Sequence, residues 1–147
     1  DLGFLAKIPG AMTVWDKVGS DLGKFYVDEI ESSQSPRGAY LANVVMHCAE
    51  CHTPRNFSNH LKIDSWMMGG TEIVEGDGRR AAVPALAGNE ARVKSWSLNE
   101  YKRFLLTGEA PDGTFADGKM WEVIQNQTSE LQPEDLEDLV QYLKQYH

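Results

Sequence analysis

The sequence has few basic residues and lacks long apolar runs. No run approaches the roughly 18 apolar residues that a membrane-spanning helix needs, so we expect no membrane span. Lys and Arg number 14 against 22 Asp and Glu, a net charge of −8. This balance argues against the basic surface of a nucleic-acid-binding protein and the polybasic clusters that attach proteins to anionic lipid. We expect a soluble protein that docks to basic partners, not to nucleic acid.

The length of 147 residues, 41% of them hydrophobic, is enough for one domain with a core that needs no disulfides. The chain opens at Asp1, without an initiator Met or a charged-then-apolar leader. We expect that a signal peptide has been removed.

The two cysteines of the chain are three residues apart, and a histidine follows directly, in Cys48-Ala49-Glu50-Cys51-His52. The pattern C-x-x-C-H is typical of covalent c-type haem attachment. Residues three apart share one face of a helical turn, so both thiols can reach the two vinyl groups on one porphyrin edge. The adjacent imidazole then serves as the proximal iron ligand. We predict one covalently attached haem c, held by Cys48, Cys51 and His52.

Other uses of a cysteine pair stay open at this point. A thioredoxin-like dithiol would place the pair near a βαβ unit, and residues 38–45 could form the preceding strand. A structural zinc site needs four ligands, but the chain has only one cysteine pair, and His47, His60 and His147 lack the usual spacing. A local disulfide would close too short a loop to stabilise the fold much.

Apolar spacing along the chain predicts an all-α fold without strands. Residues 53–94 form a long, polar, glycine-containing stretch, which we expect to pack on the cofactor because compact domains rarely contain so much irregular chain. Four segments are predicted to be helical, each with an apolar face. The first runs from Val14 to Ile30, with Trp15, Val18, Leu22, Phe25, Tyr26 and Ile30 on that face, and the second from Arg37 to about Cys51, with Tyr40, Leu41, Val44 and Val45 inward. The third runs from Ser97, which forms a capping box with Glu100, to Gly108, with Leu98, Tyr101, Phe104 and Leu105 inward, and the fourth begins at Pro133, with Leu136, Leu139, Val140 and Leu143 inward. A shorter helix is expected around Trp121 to Ile124.

The second axial ligand of the iron decides what a haem protein does. An open position can bind gases or peroxide, whereas a protein ligand blocks such binding, so that electron transfer is the function that remains. Met46 and His47 are too close to the attachment motif to reach the far side of the ring. Met120 follows a glycine-containing turn that can approach a flat cofactor, although methionine is also common core filler. The full set of candidates is Met12, Met46, Met67, Met68, Met120, His47, His60 and His147.

Three segments resemble one known family: residues 37–56 around the cysteines, residues 106–120 ending at Met120, and residues 123–144. The chain is similar to class I cytochromes c of the monohaem type, related to cytochrome subunits of bacterial periplasmic dehydrogenases. The resemblance covers roughly residues 37 to 146. It implies the class I cytochrome c fold over residues 36–147, helices wrapped around one haem, Met120 as distal ligand, and a periplasmic location. It also implies that the first and last helices of that domain cross, with Tyr40, Leu41 and Val44 against Leu139, Tyr142 and Leu143.

The chain departs from the family pattern in two places. Trp121 follows the expected ligand Met120, where the family usually has proline. Residues 1–35 have no counterpart, and we expect a helical N-terminal extension that either packs on the domain or docks on a partner. Two further contacts could support the haem. In the first, the Pro84 carbonyl accepts a hydrogen bond from the second N–H of His52. The side chains of Arg79, Arg80, Arg92, Lys94 and Trp96 could pair with haem propionates, although a solvated loop face is favoured for them.

The resemblance implies a carrier of one electron with no substrate chemistry of its own. Its donor would be a dehydrogenase or its cytochrome subunit, or a membrane complex, and its acceptor an oxidase or another cytochrome. The alternative is a haem enzyme or a gas- or peroxide-binding protein with an open distal site. A third possibility is an obligate subunit of a dehydrogenase complex.

Overall fold

The computed structural model describes the backbone of residues 11–146 and the side chains of Lys17 and of residues 21–146. The predictions made for residues 1–10, for the side chains of Met12, Trp15 and Val18, and for His147 lie outside the described residues.

Helices account for most of the described chain, as predicted. In chain order they are α1 (Ala11–Ser32), α2 (Pro36–Tyr40), a π-helical turn (Leu41–Val45), α3 (Cys48–His52), α4 (Leu98–Thr107), α5 (Gly118–Asn126) and α6 (Pro133–Lys144), with short 3₁₀ turns at Ile63–Ser65, Arg92–Ser95 and Thr128–Glu130. None of the helices in residues 11–146 has the length and apolar character of a membrane span.

A small antiparallel hairpin was not predicted. Its strands are β1 (Glu72–Val74) and β2 (Arg80–Ala82), with Ile73 opposite Ala81. The prediction of no strands was wrong here because each strand is only three residues long, too short to show alternation. The turn Gly76-Asp77-Gly78, with Gly78 at φ 84°, was the available signal, since Asp-Gly favours tight hairpins.

The ends of α4 and α6 follow the local sequence. The Ser97 hydroxyl accepts a hydrogen bond from the Glu100 amide, and the Glu100 carboxylate accepts one from the Ser97 amide, which completes the predicted capping box. The helix ends at Gly108, whose φ of 76° suits a residue without a Cβ. Pro133 opens α6, and its predicted apolar face is buried, with Leu136, Leu139, Val140 and Leu143 each at most 4% exposed.

The first and last helices of the domain cross, as predicted, but the first helix contacts the last through a different face from the predicted one. Tyr40, Val44 and Val45 are 46%, 39% and 45% exposed, so placing them inward was wrong; Leu41 is buried as predicted. The predicted continuous helix also breaks. A π-helical turn follows Tyr40, and its extra residue per turn rotates the side chains that follow. The buried face is therefore Gly38, Ala39, Leu41, Ala42 and Asn43.

The N-terminal helix α1 packs on the domain. The Phe25 ring lies edge-on to Trp66, with ring centroids 4.6 Å apart, and the Tyr26 ring lies 5.7 Å from the same indole. The Tyr26 hydroxyl also donates to Glu50 of α3, at 3.2 Å. Since Glu50 lies between the two cysteines, α1 directly supports the attachment helix.

A polar cluster ties α1 to the helix crossing. The Tyr142 hydroxyl accepts a hydrogen bond from the Asn43 side-chain amide at 2.7 Å and donates to the Glu29 carboxylate at 2.9 Å. Tyr146 also donates to Glu29, and its hydroxyl lies 2.6 Å from that of Tyr142. Burial raises the pKa of Tyr142 to about 12, so the phenol stays neutral and can donate.

Candidate functional site

The attachment motif forms a helical turn of its own. His47 has a left-handed backbone conformation, φ 54°, which ends the preceding helical turn and starts α3 in a new direction. Cys48, Cys51 and His52 then lie on that single turn, and all three line the same cleft. The close placement that the motif predicted is therefore present in the folded chain.

The His52 ring is oriented by a backbone carbonyl. His52 is 8% exposed, and its Nδ1 lies 2.8 Å from the Pro84 oxygen. A carbonyl oxygen only accepts, so Nδ1 carries the proton and donates it. Burial lowers the pKa of His52 and keeps the imidazole neutral. The Nε2 lone pair is then free for a metal ion, the arrangement that metal-binding histidines use. The predicted contact of Pro84 with His52 is confirmed.

The thiols are not those of a redox dithiol. Burial raises the pKa of the Cys48 thiol to about 12, whereas reactive dithiols have a lowered pKa. The pair precedes no parallel βαβ unit within the described residues, where the β1–β2 hairpin is the one sheet. Cys48 and Cys51 are not joined by a disulfide. No group of three or more His, Cys, Asp or Glu in the described part of the chain could hold zinc.

Two adjoining clefts meet at His52. The first is bordered by α3, the β1–β2 hairpin and α5, and the second by α4 and the loop that precedes α5. Both clefts are lined mainly by apolar side chains. The residues that border both are His52, Pro84, Asp117 and Met120.

The structure separates the methionine candidates. Met67 is fully buried, its backbone held by Thr53 and Leu86, and it lines neither cleft. Met68 is 51% exposed and also lines neither. Met46 borders the first cleft only, beside the cysteines, and Met120 borders both. Among the methionines with described side chains, Met120 alone shares both clefts with His52.

The donor set and the lining fit a haem. Two thiols on one turn, a neutral buried imidazole and a thioether surround an apolar space. Tyr101, which is 1% exposed, also lines the second cleft, and its hydroxyl is buried without a hydrogen-bond partner among the described residues. A buried hydroxyl without a partner is costly, and a polar group of a bound cofactor would satisfy it. Sequence analysis assigned Tyr101 only to the core.

The basic side chains considered for propionate contacts lie at the surface. Arg79 pairs with Asp77, Arg80 with Glu72, and Arg92 with Asp112, all exposed. Arg79, Arg80 and Lys94 therefore lie on the solvated face that was favoured for them. Arg92 and Trp96 differ, since both line the second cleft. Trp96 is 8% exposed, with its ring 5.1 Å from Phe104.

Comparisons with known proteins agree with this geometry. The family model for cytochrome c matches residues 37–147. A protein named "Diheme cytochrome c-type" from Cereibacter sphaeroides is 36% identical over 111 residues, 76% of this chain and 35% of the relative. The fructose dehydrogenase cytochrome subunit of Gluconobacter japonicus is 30% identical over 144 residues, 97% of this chain and 28% of the relative. The cytochrome c subunit of a quinone alcohol dehydrogenase from Gluconobacter oxydans is 30% identical over 122 residues, 78% of this chain and 24% of the relative.

The chain thus spans about a third or less of the length of these relatives. The family match itself covers more than half of this chain and includes the C-x-x-C-H turn, both clefts and α6. The chain therefore belongs to the cytochrome c family, and it is an electron-carrying cytochrome with covalently bound haem c.

Proposed function

We propose that haem c is joined to Cys48 and Cys51 by thioether bonds, with His52 and Met120 as the axial ligands. The observation that carries this proposal is that His52 and Met120 border both clefts, so a flat ring between them would fill both. Bound in this way, the iron exchanges one electron between its ferric and ferrous states. The neutral imidazole of His52 and the soft thioether of Met120 together favour the ferrous state relative to two histidines.

The electron enters and leaves where the first cleft opens to solvent. Cys51 is exposed there, and next to it Val74 of the hairpin is 62% exposed and Lys119 of α5 is exposed. A small exposed rim that combines apolar and charged side chains suits the transient interfaces of electron-transfer partners. We assign the docking of redox partners to this rim.

The proposed partners are redox proteins of the bacterial periplasm. The relatives named as dehydrogenase cytochrome subunits support a dehydrogenase, or its cytochrome subunit, as donor. The acceptor would be an oxidase or another cytochrome. The net charge of −8 favours basic partners and an association rate that falls with ionic strength.

The chain performs no substrate chemistry of its own in this proposal. An open distal site, the alternative function, is not favoured by the family and the relatives, or by the position of Met120 beside both clefts. Electron transfer therefore needs only the bound haem and an accessible edge.

Two measurements on the purified holoprotein test the proposal. Acidified organic solvent should leave the colour with the polypeptide, whereas the double variant C48A/C51A should carry no covalent haem. The ferric spectrum should be low-spin, with the weak far-red band that methionine–iron ligation produces. A colourless protein with two titratable thiols would refute the attachment. A high-spin ferric spectrum with rapid carbon monoxide binding after reduction would favour the open site.

A further inference from the structure

Residues that follow the two strands of the β1–β2 hairpin contact the proposed axial ligand His52 and the helix that carries Met120. Two residues after the end of β2 comes Pro84, whose carbonyl holds the His52 ring at 2.8 Å. Directly after β1 comes Glu75, whose carboxylate accepts a hydrogen bond from the backbone N–H of Lys119 at 3.0 Å. Lys119 precedes Met120 in the first turn of α5.

The helix that carries Met120 has no cap from its own chain segment. Its N-cap residue, Asp117, makes no side-chain hydrogen bond to the helix. The first amide groups of a helix have no partner within the helix, so an external acceptor stabilises them, and a negative one more so because of the helix dipole. Glu75 is that acceptor, supplied from 44 residues earlier in the chain.

The Glu75 carboxylate lies against the backbone of the first turn of α5, where Gly118 leaves room for it. A Cβ on Gly118 would lie 2.3 Å from the nearest carboxylate oxygen of Glu75. Gly118 also has φ 52°, a conformation that other residues rarely adopt.

The hairpin is itself held firmly at this point. The Glu75 amide donates to the Arg79 carbonyl at 2.8 Å, and the Glu75 carbonyl accepts from Gly78 at 2.9 Å. At the other end of the hairpin, Val83 donates to Thr71 at 2.7 Å. The Glu75 carboxylate therefore extends from a fixed turn onto the ligand helix.

We infer that Glu75 is a positioning residue for the distal ligand, which holds the first turn of α5 so that the Met120 sulfur stays on the iron. This inference rests on the proposed function, since it takes Met120 as the ligand. The hairpin then acts as one strap over the haem, fixing the His52 ring through Pro84 and the Met120 helix through Glu75. A family-typical proline after the ligand methionine is absent here, and the strap supplies local restraint in its place.

The test is a titration in which imidazole competes for the iron of the ferric holoprotein. Loss of the far-red band measures the displacement of the methionine ligand. E75A should lose the band at an imidazole concentration about tenfold lower than the wild type, the effect expected for removing a charged helix cap. E75Q keeps an oxygen acceptor and should stay within about threefold. The matched control is E72A, which removes a carboxylate from the same hairpin but one that pairs only with exposed Arg80 in the structure.

Global unfolding by urea separates local release of the ligand from general destabilisation. E75A should unfold at a urea concentration only slightly below that of E72A, as the loss of one helix cap predicts, while only E75A changes the imidazole titration. Equal titrations of E75A and E72A in a protein that shows the band would overturn this inference and leave Met120 ligation standing. Absence of the band from the wild type would refute Met120 as ligand, and the role of Glu75 with it.

Discussion

Gly38 of α2 and Asp138 of α6 approach so closely that a Cβ on residue 38 would lie 1.9 Å from the Asp138 carbonyl oxygen. This contact lies within the helix crossing, and it holds α2 close against α6. The hydroxyl of Ser35 stabilises the same contact. It donates a hydrogen bond to the Asp138 carbonyl at 3.0 Å and accepts one from the Gly38 amide, which caps α2.

Replacement of Gly38 by alanine should lower the free energy of unfolding by about 3 kcal/mol or more, because backbone on both sides must move apart. Urea denaturation followed by circular dichroism measures this. The matched control is G23A, on the exposed face of α1, where an added Cβ meets nothing within 4 Å. G23A should stabilise by about 0.5–1 kcal/mol, since alanine is the better helix former. Equal effects of the two variants would contradict the close crossing.

Loss of the Met120 thioether should convert the iron to an open site. We expect M120A to lose the far-red band, to become high-spin and to bind carbon monoxide when reduced. M120H should keep a low-spin iron but lower the reduction potential by on the order of 0.1 V, because two imidazoles favour ferric iron. M68A is the control, since Met68 is half exposed outside both clefts, and it should keep the wild-type spectrum and potential. A change of band in M68A instead of M120A would reassign the ligand.

The stability of the protein should fall in alkaline solution through Tyr142. Its pKa is raised from about 10 when unfolded to about 12 in the folded chain, so the phenol ionises more readily in the unfolded state. The contribution is fully present below pH ~10 and is lost as the pH rises toward ~12, about 2–3 kcal/mol in all. Urea denaturation between pH 8 and 11.5 should show the decline.

The variant Y142F isolates this contribution. It should lower stability at pH 8 by about 1–3 kcal/mol, because Asn43 and Glu29 lose a partner. It should also make the alkaline decline shallower without abolishing it, because burial raises the pKa values of Tyr26, Tyr101 and Tyr146 as well. The control Y40F changes a tyrosine that is 46% exposed and should do neither. An unchanged alkaline slope in Y142F would exclude Tyr142 as its source.

The docking of α1 should depend on the aromatic contact with Trp66. F25A removes the ring that lies 4.6 Å from the indole and should cost about 2 kcal/mol, with faster proteolytic cleavage in α1. V27A is the control in the same helix, since Val27 is 52% exposed, and it should change neither the stability nor the rate of cleavage. Comparable cleavage of both variants would show that α1 is held elsewhere.

Features that depend on neighbouring residues could be predicted from the sequence. The capping box at Ser97, the proline start of α6 and the apolar face of Leu136, Leu139 and Val140 all follow from spacing of three or four residues, and each is present. The hydrogen bond from His52 to Pro84 was also anticipated, because a ligand imidazole needs a partner for its second nitrogen.

Features that depend on packing between distant segments could not be predicted from the sequence. The sequence placed Tyr40 and Val44 inward because they continue an apolar helical face. Instead Gly38 makes the close contact with α6, and the π-helical turn after Tyr40 rotates Val44 outward. The hairpin was missed because its strands are short, and with it the contact of Glu75 on α5, which no spacing rule connects.

By itself the sequence determined the attachment chemistry, since two thiols and an imidazole on one turn are set by the order C-x-x-C-H and need no long-range information. The tertiary structure decided which methionine faces that turn and what restrains it. Met67 and Met120 are chemically equal, and only the packing of distant segments buries one in the core and places the other on both clefts beside His52.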